Sequence, residues 1–321
     1  MTFKEAVRQA LREEMRADPS VFLLGEDIGR YGGAFGVTAG LLDEFGAQRV
    51  RETPISENSF VGVAVGAAIC GLRPVVEIMF MDFITLAVDQ IVNHAAKLHY
   101  IYNGQVCVPL VIRAPAGAGR GYGPSHSQIL DALFLGVPGL KIVMPYTPRE
   151  ARGLLRAAIR DNNPVLFIEH KLLYGRRGEV PTDDAPMPIG PAEVLHAGTD
   201  VTIVSWGKML DVVGEALKLL GTEVSAEVIN LRTLKPLDDA TVMTSVAKTG
   251  RLVIVEEGQS CGGVGAEISA RIAGGCIEYL QAPIVRVSMP ESPIPAARPL
   301  EDYLIPRPEQ VVEAIRRCRS F

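Results

Sequence analysis

Short apolar runs of strand length, separated by helix-length segments, recur along the whole chain, and this alternation constrains the fold more than any other feature. Residues 21–24, 74–79, 109–112, 140–144 and 165–168 are apolar at nearly every position. Strands buried on both faces, between layers of helices, have that character. A helix is predicted ahead of the first run. Thr2-Phe3-Lys4-Glu5 is a capping-box pattern, and Phe3, Ala6, Val7, Ala10, Leu11 and Met15 keep helical spacing until Asp18-Pro19 stops it. A polar stretch from Tyr174 to Pro191, with Pro181, Pro186, Pro188 and Pro191, interrupts the pattern and reads as a linker. The pattern then restarts, with strands predicted at 201–205, 226–231, 252–255 and 284–287, and helices near 209–220, 263–273 and 309–319. The expectation is an α/β protein of two doubly wound, mainly parallel-sheet domains, 1–175 and 192–321, joined by a linker at 176–191. A length of 321 residues is enough for two cores.

Charge and cysteine usage exclude several classes. Lys+Arg 32 against Asp+Glu 37 gives a net charge of −5, without basic blocks, which argues against nucleic-acid and anionic-membrane partners. The five cysteines are scattered, with no CxxC. They suggest neither a disulfide framework nor a zinc site, and point to a reducing cytoplasm. The apolar stretch 60–72 is too short and too glycine-rich to span a bilayer and is read as a buried helix. The capping box at the start argues against a signal peptide.

Ligand sites in open α/β sheets lie beyond the carboxyl ends of strands. No GxGxxG or GxxxxGK[ST] stands at those turns, so a self-sufficient dinucleotide or P-loop site is not expected. Gly258-Gln259-Ser260-Cys261-Gly262 fits the G-x-S-x-G nucleophile elbow, but all five histidines precede Ser260. The hydrolase fold needs its histidine afterwards, so this reads as a glycine-rich turn. Glu57 enters a helix from a short strand, where burial and the helix dipole act in opposition on a carboxylate. It reads either as a functional acid or as a helix-capping glutamate. His126 lies on a glycine-rich turn, 121–128, and reads either as an acid–base group or as a surface histidine. His94, His99, His170 and His196 are assigned surface or packing roles.

Six motifs follow one another in order: Gly25-Glu26-Asp27-Ile28, Tyr31-Gly32-Gly33-Ala34-Phe35, Thr53-Pro54-Ile55-Ser56-Glu57, Glu77 to Phe83, Asp89-Gln90-Ile91-Val92-Asn93 and His126-Ser127-Gln128. Together they resemble the beta subunit of thiamine-diphosphate-dependent 2-oxo acid dehydrogenases, over essentially the whole chain. Glu256-Glu257-Gly258 and residues 262–267 resemble the transketolase C-terminal domain. The resemblance implies a pyrimidine-binding domain followed by a transketolase-like C-terminal domain. Glu57 would hold a proton at N1′ of the cofactor's aminopyrimidine, Phe83 would stack on that ring, and Ile55 would line its pocket. Glu26 would stand near the cofactor on a proton path between active sites. His126 would serve the substrate side and acyl transfer to lipoamide.

The sequence contains no Gly-Asp dipeptide, so the family's Mg²⁺- and diphosphate-holding GDG motif is expected on a separate alpha subunit, in an α2β2 assembly. The resemblance also implies a structural K⁺ held by Leu110, Ala158, Ile159, Asp161 and Asn163; an ordinary polar turn is the other reading of that segment. The implied reaction is oxidative decarboxylation of a 2-oxo acid, pyruvate first, with acyl transfer to the lipoyl group of a dihydrolipoyl acyltransferase. That partner would dock on the C-terminal domain, with the terminal carboxylate of Phe321 expected to take part. Branched-chain 2-oxo acid and acetoin dehydrogenases are the near alternatives. A transketolase or deoxyxylulose-phosphate synthase fragment and a non-catalytic scaffolding subunit are the distant ones.

Overall fold

A computed structural model describes residues 1–181 and 185–321. The expected linker, 176–191, therefore lies partly outside the described residues. The chain divides into two compact units, Met1–Ala116 with Gly136–Ile189, and Gly117–Leu135 with Gly190–Phe321. The segment carrying His126 thus groups with the second unit, whereas the contiguous division read from the sequence puts it in the first.

The first unit is a parallel sheet of β1 (Val21–Gly25), β2 (Val50–Glu52), β3 (Arg73–Glu77), β4 (Val111–Ala116), β5 (Lys141–Val143) and β6 (Val165–His170), ordered β5-β6-β4-β3-β1-β2. The registers Gly25↔Glu52, Gly25↔Glu77 and Glu77↔Arg113 bring the carboxyl ends of β1, β2 and β3 to one edge. Its principal helices are α1 (Phe3–Ala17), α2 (Glu57–Ile69) and α3 (Pro148–Arg160). The predicted capping box of α1 is present: Thr2 accepts from the Glu5 N–H and Glu5 from the Thr2 N–H. The apolar stripe of α1 joins Leu154, Leu155 and Phe167 in one core. Burying each large side chain contributes about 1.5–3 kcal/mol. Above the stripe, Arg160 donates to Glu14 at 2.8 Å and Arg152 contacts Glu13 at 3.0 Å. Tyr174, read as the start of the polar stretch, is instead a core residue, because its hydroxyl has a buried acceptor in Glu169 at 2.8 Å.

The stretch 60–72 is not the fully buried helix expected. In α2, Phe60, Val61, Ala64, Val65 and Ala68 are buried, but Val63 on the opposite face is 62% exposed. A helix apolar all round needs cover on both faces, and this chain covers one.

The second unit is a sheet of β7 (Glu193–His196), β8 (Val201–Ser205), β9 (Ala226–Asn230), β10 (Leu252–Gln259) and β11 (Val285–Met289), ordered β11-β10-β8-β9-β7. Only β7 runs antiparallel, on β9. Its principal helices are α4 (Met209–Leu220), α5 (Asp239–Thr249), α6 (Val264–Cys276), α7 (Arg298–Leu304) and α8 (Pro308–Arg319). Among the described residues no helix is long and apolar enough to cross a membrane.

Candidate active site

The carboxyl edge of the first sheet collects the expected acids. Glu26 follows β1, and the turn after β2 leads through Ile55 and Ser56 into α2, whose first residue is Glu57. The Thr53 N–H donates to the Gly25 carbonyl at 3.0 Å, tying the two turns together. Glu26 and Glu57 are both about 5% exposed. Burial, then the charge of Glu57, push the Glu26 carboxyl from 4.5 up to about 6, against the Ser56 N–H that pulls it down. Oε1 of Glu26 is buried without a hydrogen-bond partner. Two buried carboxylates at one strand edge, one titrating near neutrality, suit proton handling.

Ile55, two residues before Glu57, is 83% exposed, an apolar side chain with no cover from this chain. Phe83 lies on the 3₁₀ turn Met81–Ala87, which packs against α2. It is half-buried, edge-on to Phe80 at 5.8 Å, and Phe80 in turn meets Phe35 at 5.4 Å. Glu26, Ile55, Glu57 and Phe83 thus share the first unit. The buried Glu57, the unpartnered Glu26 oxygen and the uncovered Ile55 fit a flat, basic heteroaromatic ring.

His126 stands on the turn of the second unit. Its Nδ1 lies 3.0 Å from the Ser125 hydroxyl. Two carboxylates hold the preceding glycine-rich segment by its backbone. The Ala118 N–H donates to Glu257 at 2.6 Å, and those of Gly119 and Gly121 to the two oxygens of Glu301 at 2.8 Å. The sequence reading missed Glu301, the one buried residue of α7; no signal in its own segment marks it.

It also missed a buried ion network at the ends of β3, β4 and β6. The Arg113 guanidinium donates to Glu169 at 2.6 and 2.8 Å and pairs with Glu77. Burial holds the Glu77 carboxyl above the usual range, against the pull of Arg113.

Of the residues of the expected cation site, Ala158, Ile159, Asp161 and Asn163 lie in and just after the last turn of α3, and Leu110 is tied to the strand that follows through Val165. Asp161 Oδ1 accepts from the Asn163 backbone and side chain at 2.9 and 2.8 Å, and Oδ2 pairs with Lys141. Burial would raise the Asp161 carboxyl, but the hydrogen bond from Lys141, with those from Asn163, holds it below its usual range. The Ile159 carbonyl accepts from Arg73 at 2.9 Å, that of Ala158 from the Asp161 N–H at 3.3 Å, and that of Leu110 from the Val165 N–H at 2.8 Å. Each carbonyl keeps a second lone pair, and so does Asp161 Oδ2, whereas Oδ1 already accepts twice from Asn163. Arg73 and Lys141 thus already bring two side-chain cations to the Ile159 carbonyl and to Asp161, and a bound ion would share these oxygens with them.

The family profiles described as transketolase, pyrimidine binding domain and transketolase, C-terminal domain match residues 1–177 and 190–311. A subunit of Oryza sativa subsp. japonica, named pyruvate dehydrogenase E1 component subunit beta-2, mitochondrial, is 48% identical over 323 residues, covering 99% of this chain and 86% of its own. The chain belongs to the pyruvate dehydrogenase E1 beta-subunit family. Family members from Rhizobium meliloti (strain 1021) and Gracilaria tenuistipitata var. liui are also 48% identical, covering 98% and 97% of this chain and 69% and 97% of their own. Among solved structures, a split gene transketolase described as an inactive beta4 tetramer aligns with a TM-score of 0.81 at 25% identity, over 100% of this chain and 98% of that one. The two transketolase-like domains of the family are thus both present.

Proposed function

We propose that this chain is the beta half of a pyruvate-decarboxylating enzyme, binding the aminopyrimidine end of thiamine diphosphate. The observation that carries the proposal is the buried Glu57 beside Glu26, with Ile55 uncovered next to them. When bound, the cofactor supplies a carbanion-stabilising centre. Glu57 holds a proton at N1′ of the ring, Phe83 stacks on it, Ile55 lines its pocket, and Glu26 exchanges protons with Glu57. His126 handles the substrate and the acyl group passed to lipoamide.

An alpha chain in an α2β2 assembly brings Mg²⁺ and the diphosphate contacts. The exposed apolar face of α2 and the name of the split transketolase, an inactive beta4 tetramer, support a chain that works only with its partner. The C-terminal domain receives the dihydrolipoyl acyltransferase. The cytoplasm is the proposed location, supported by free cysteines; the rice relative is named mitochondrial.

The test is a substrate screen of the alpha/beta pair with its acyltransferase. Pyruvate should exceed branched-chain 2-oxo acids and acetoin in kcat/KM by about tenfold or more, the discrimination that a few methylenes allow. A preference for another substrate would move the chain to that branch of the family.

Potassium binding at the carbonyls of Leu110, Ala158, Ile159 and Asn163, with the Asp161 carboxylate, is proposed with it. An ion that binds only the folded chain stabilises by RT ln(1 + [L]/Kd), about 1.4 kcal/mol at ten times Kd. The assembled enzyme should therefore melt higher in potassium chloride than in tetramethylammonium chloride of equal ionic strength. Coincident melting curves would remove the site.

A further inference from the structure

A cavity of about 500 Å³ opens in the second unit, lined by β11, the turn before α8 and one face of that helix. Gln310, Glu313, Ala314 and Arg317 face it at helical spacing. With Arg286 and Arg307, three guanidiniums meet a single carboxylate, Glu313, in one lining. Other arginines of α8 are satisfied: Arg316 pairs with Glu223 at 2.8 Å, and Arg319 donates to the Glu223 carbonyl at 3.1 Å. Among the described residues Arg307 and Arg317 have no carboxylate partner, and Arg307 is held over the Tyr303 ring at 5.2 Å. Arg286 is partly exposed, and its buried Nη1 lies beside Glu256, which is not among the residues lining the cavity. Oε1 of Glu256 stands 3.9 Å from that Nη1, too far for a hydrogen bond, and is itself unpartnered.

Like charges around one cavity repel. An anion relieves that repulsion, and the planar guanidinium is suited to phosphate or carboxylate. We propose that this cavity binds a small organic anion, a phosphate or carboxylate head on an apolar body. Arg286, Arg307 and Arg317 hold the head, and Val287, Met289 and Leu304 contact the body. Ser260, the serine of the G-x-S-x-G pattern, lines the same cavity and offers its hydroxyl for binding rather than for attack. The inference is independent of the decarboxylase reading, since every residue in it belongs to the second unit.

Calorimetric titration of the full chain at constant chloride ionic strength tests it, with phenyl phosphate, benzoate and neutral benzyl alcohol as probes. At least one anion should bind with a Kd of about 1 mM or tighter, and the alcohol should not. Phenyl phosphate alone would assign a phosphate head, and benzoate alone a carboxylate. Arg317→Gln, on the exposed face of α8, should weaken binding about tenfold, as expected for one charge-assisted hydrogen bond. Arg286→Gln should weaken it at least as much; where that variant does not fold, Arg317→Gln carries the test. Absence of binding by both anions, equal binding of the alcohol, or unchanged affinity in either folded variant overturns the proposal.

Discussion

Replacing Glu57 with glutamine should slow deuterium exchange at C2 of thiamine diphosphate, bound to the assembled alpha/beta pair, by about 10²–10⁴-fold. That is the usual weight of a positioned acid–base group, about 3–5 kcal/mol of barrier. Glutamine keeps the size and a hydrogen bond but cannot hold or release the proton at N1′. The loss should appear before any substrate is added. Cofactor affinity should fall less, because the diphosphate and Mg²⁺ would be held by the other chain. A capping role predicts the reverse: up to about 1 kcal/mol of lost stability with near-normal exchange. Glu57 does occupy the first turn of α2, and the Ser56 side chain makes no capping hydrogen bond, so the rival has substance. Its carboxylate, however, is buried beside Glu26, which a solvent-facing cap would not require. Exchange and melting temperature measured on one reconstituted variant separate the two, and near-wild-type exchange would sink the catalytic assignment.

Local chemistry was legible in the sequence where short-range rules decide it. The capping box of α1, the stop at Asp18 and the helix Met209–Leu220 follow from neighbours a few residues apart. So does the entry of Glu57 into a helix, although α2 starts at Glu57 itself rather than at Phe60. What depends on packing between distant segments was not legible. The pinning of the glycine-rich segment by Glu257 and Glu301 spans 139 and 182 residues. Periodicity could not show that α2 would leave Val63 exposed, since a helix covered by its own chain and one covered by a partner have the same apolar composition. Tyr174 looked like linker because its neighbours downstream are polar, whereas its place is set by the acceptor Glu169 beneath it.

That acceptor belongs to the network from which the second large effect is expected. Arg113→Met should cost about 3–5 kcal/mol in urea unfolding at pH 7.5, because it leaves Glu77 and Glu169 buried without a counterion. Arg113 is 1% exposed, Glu77 4% and Glu169 0%, so water cannot replace the lost charge. The loss is a large share of the roughly 5–15 kcal/mol that holds a typical domain together. Its pH dependence has a definite sign. In the wild type Glu77 is already pushed upward by burial and restrained by Arg113; removing the arginine raises it further. A folded-state value above the unfolded one gives stability that is present at low pH and lost as pH rises through the folded value. The gap between wild type and variant should therefore widen from pH 5 to pH 8. Adding Glu77→Gln and Glu169→Gln to Arg113→Met removes the stranded charges and should recover at least half of the loss, since a buried ion pair and a neutral replacement often differ little in net stability. The triple variant also tests the rival cause, a cavity where the guanidinium stood, because a cavity would persist in it. A cost below about 1 kcal/mol for Arg113→Met, or no recovery in the triple variant, would show that shape rather than charge sets the stability of this layer beneath the candidate site.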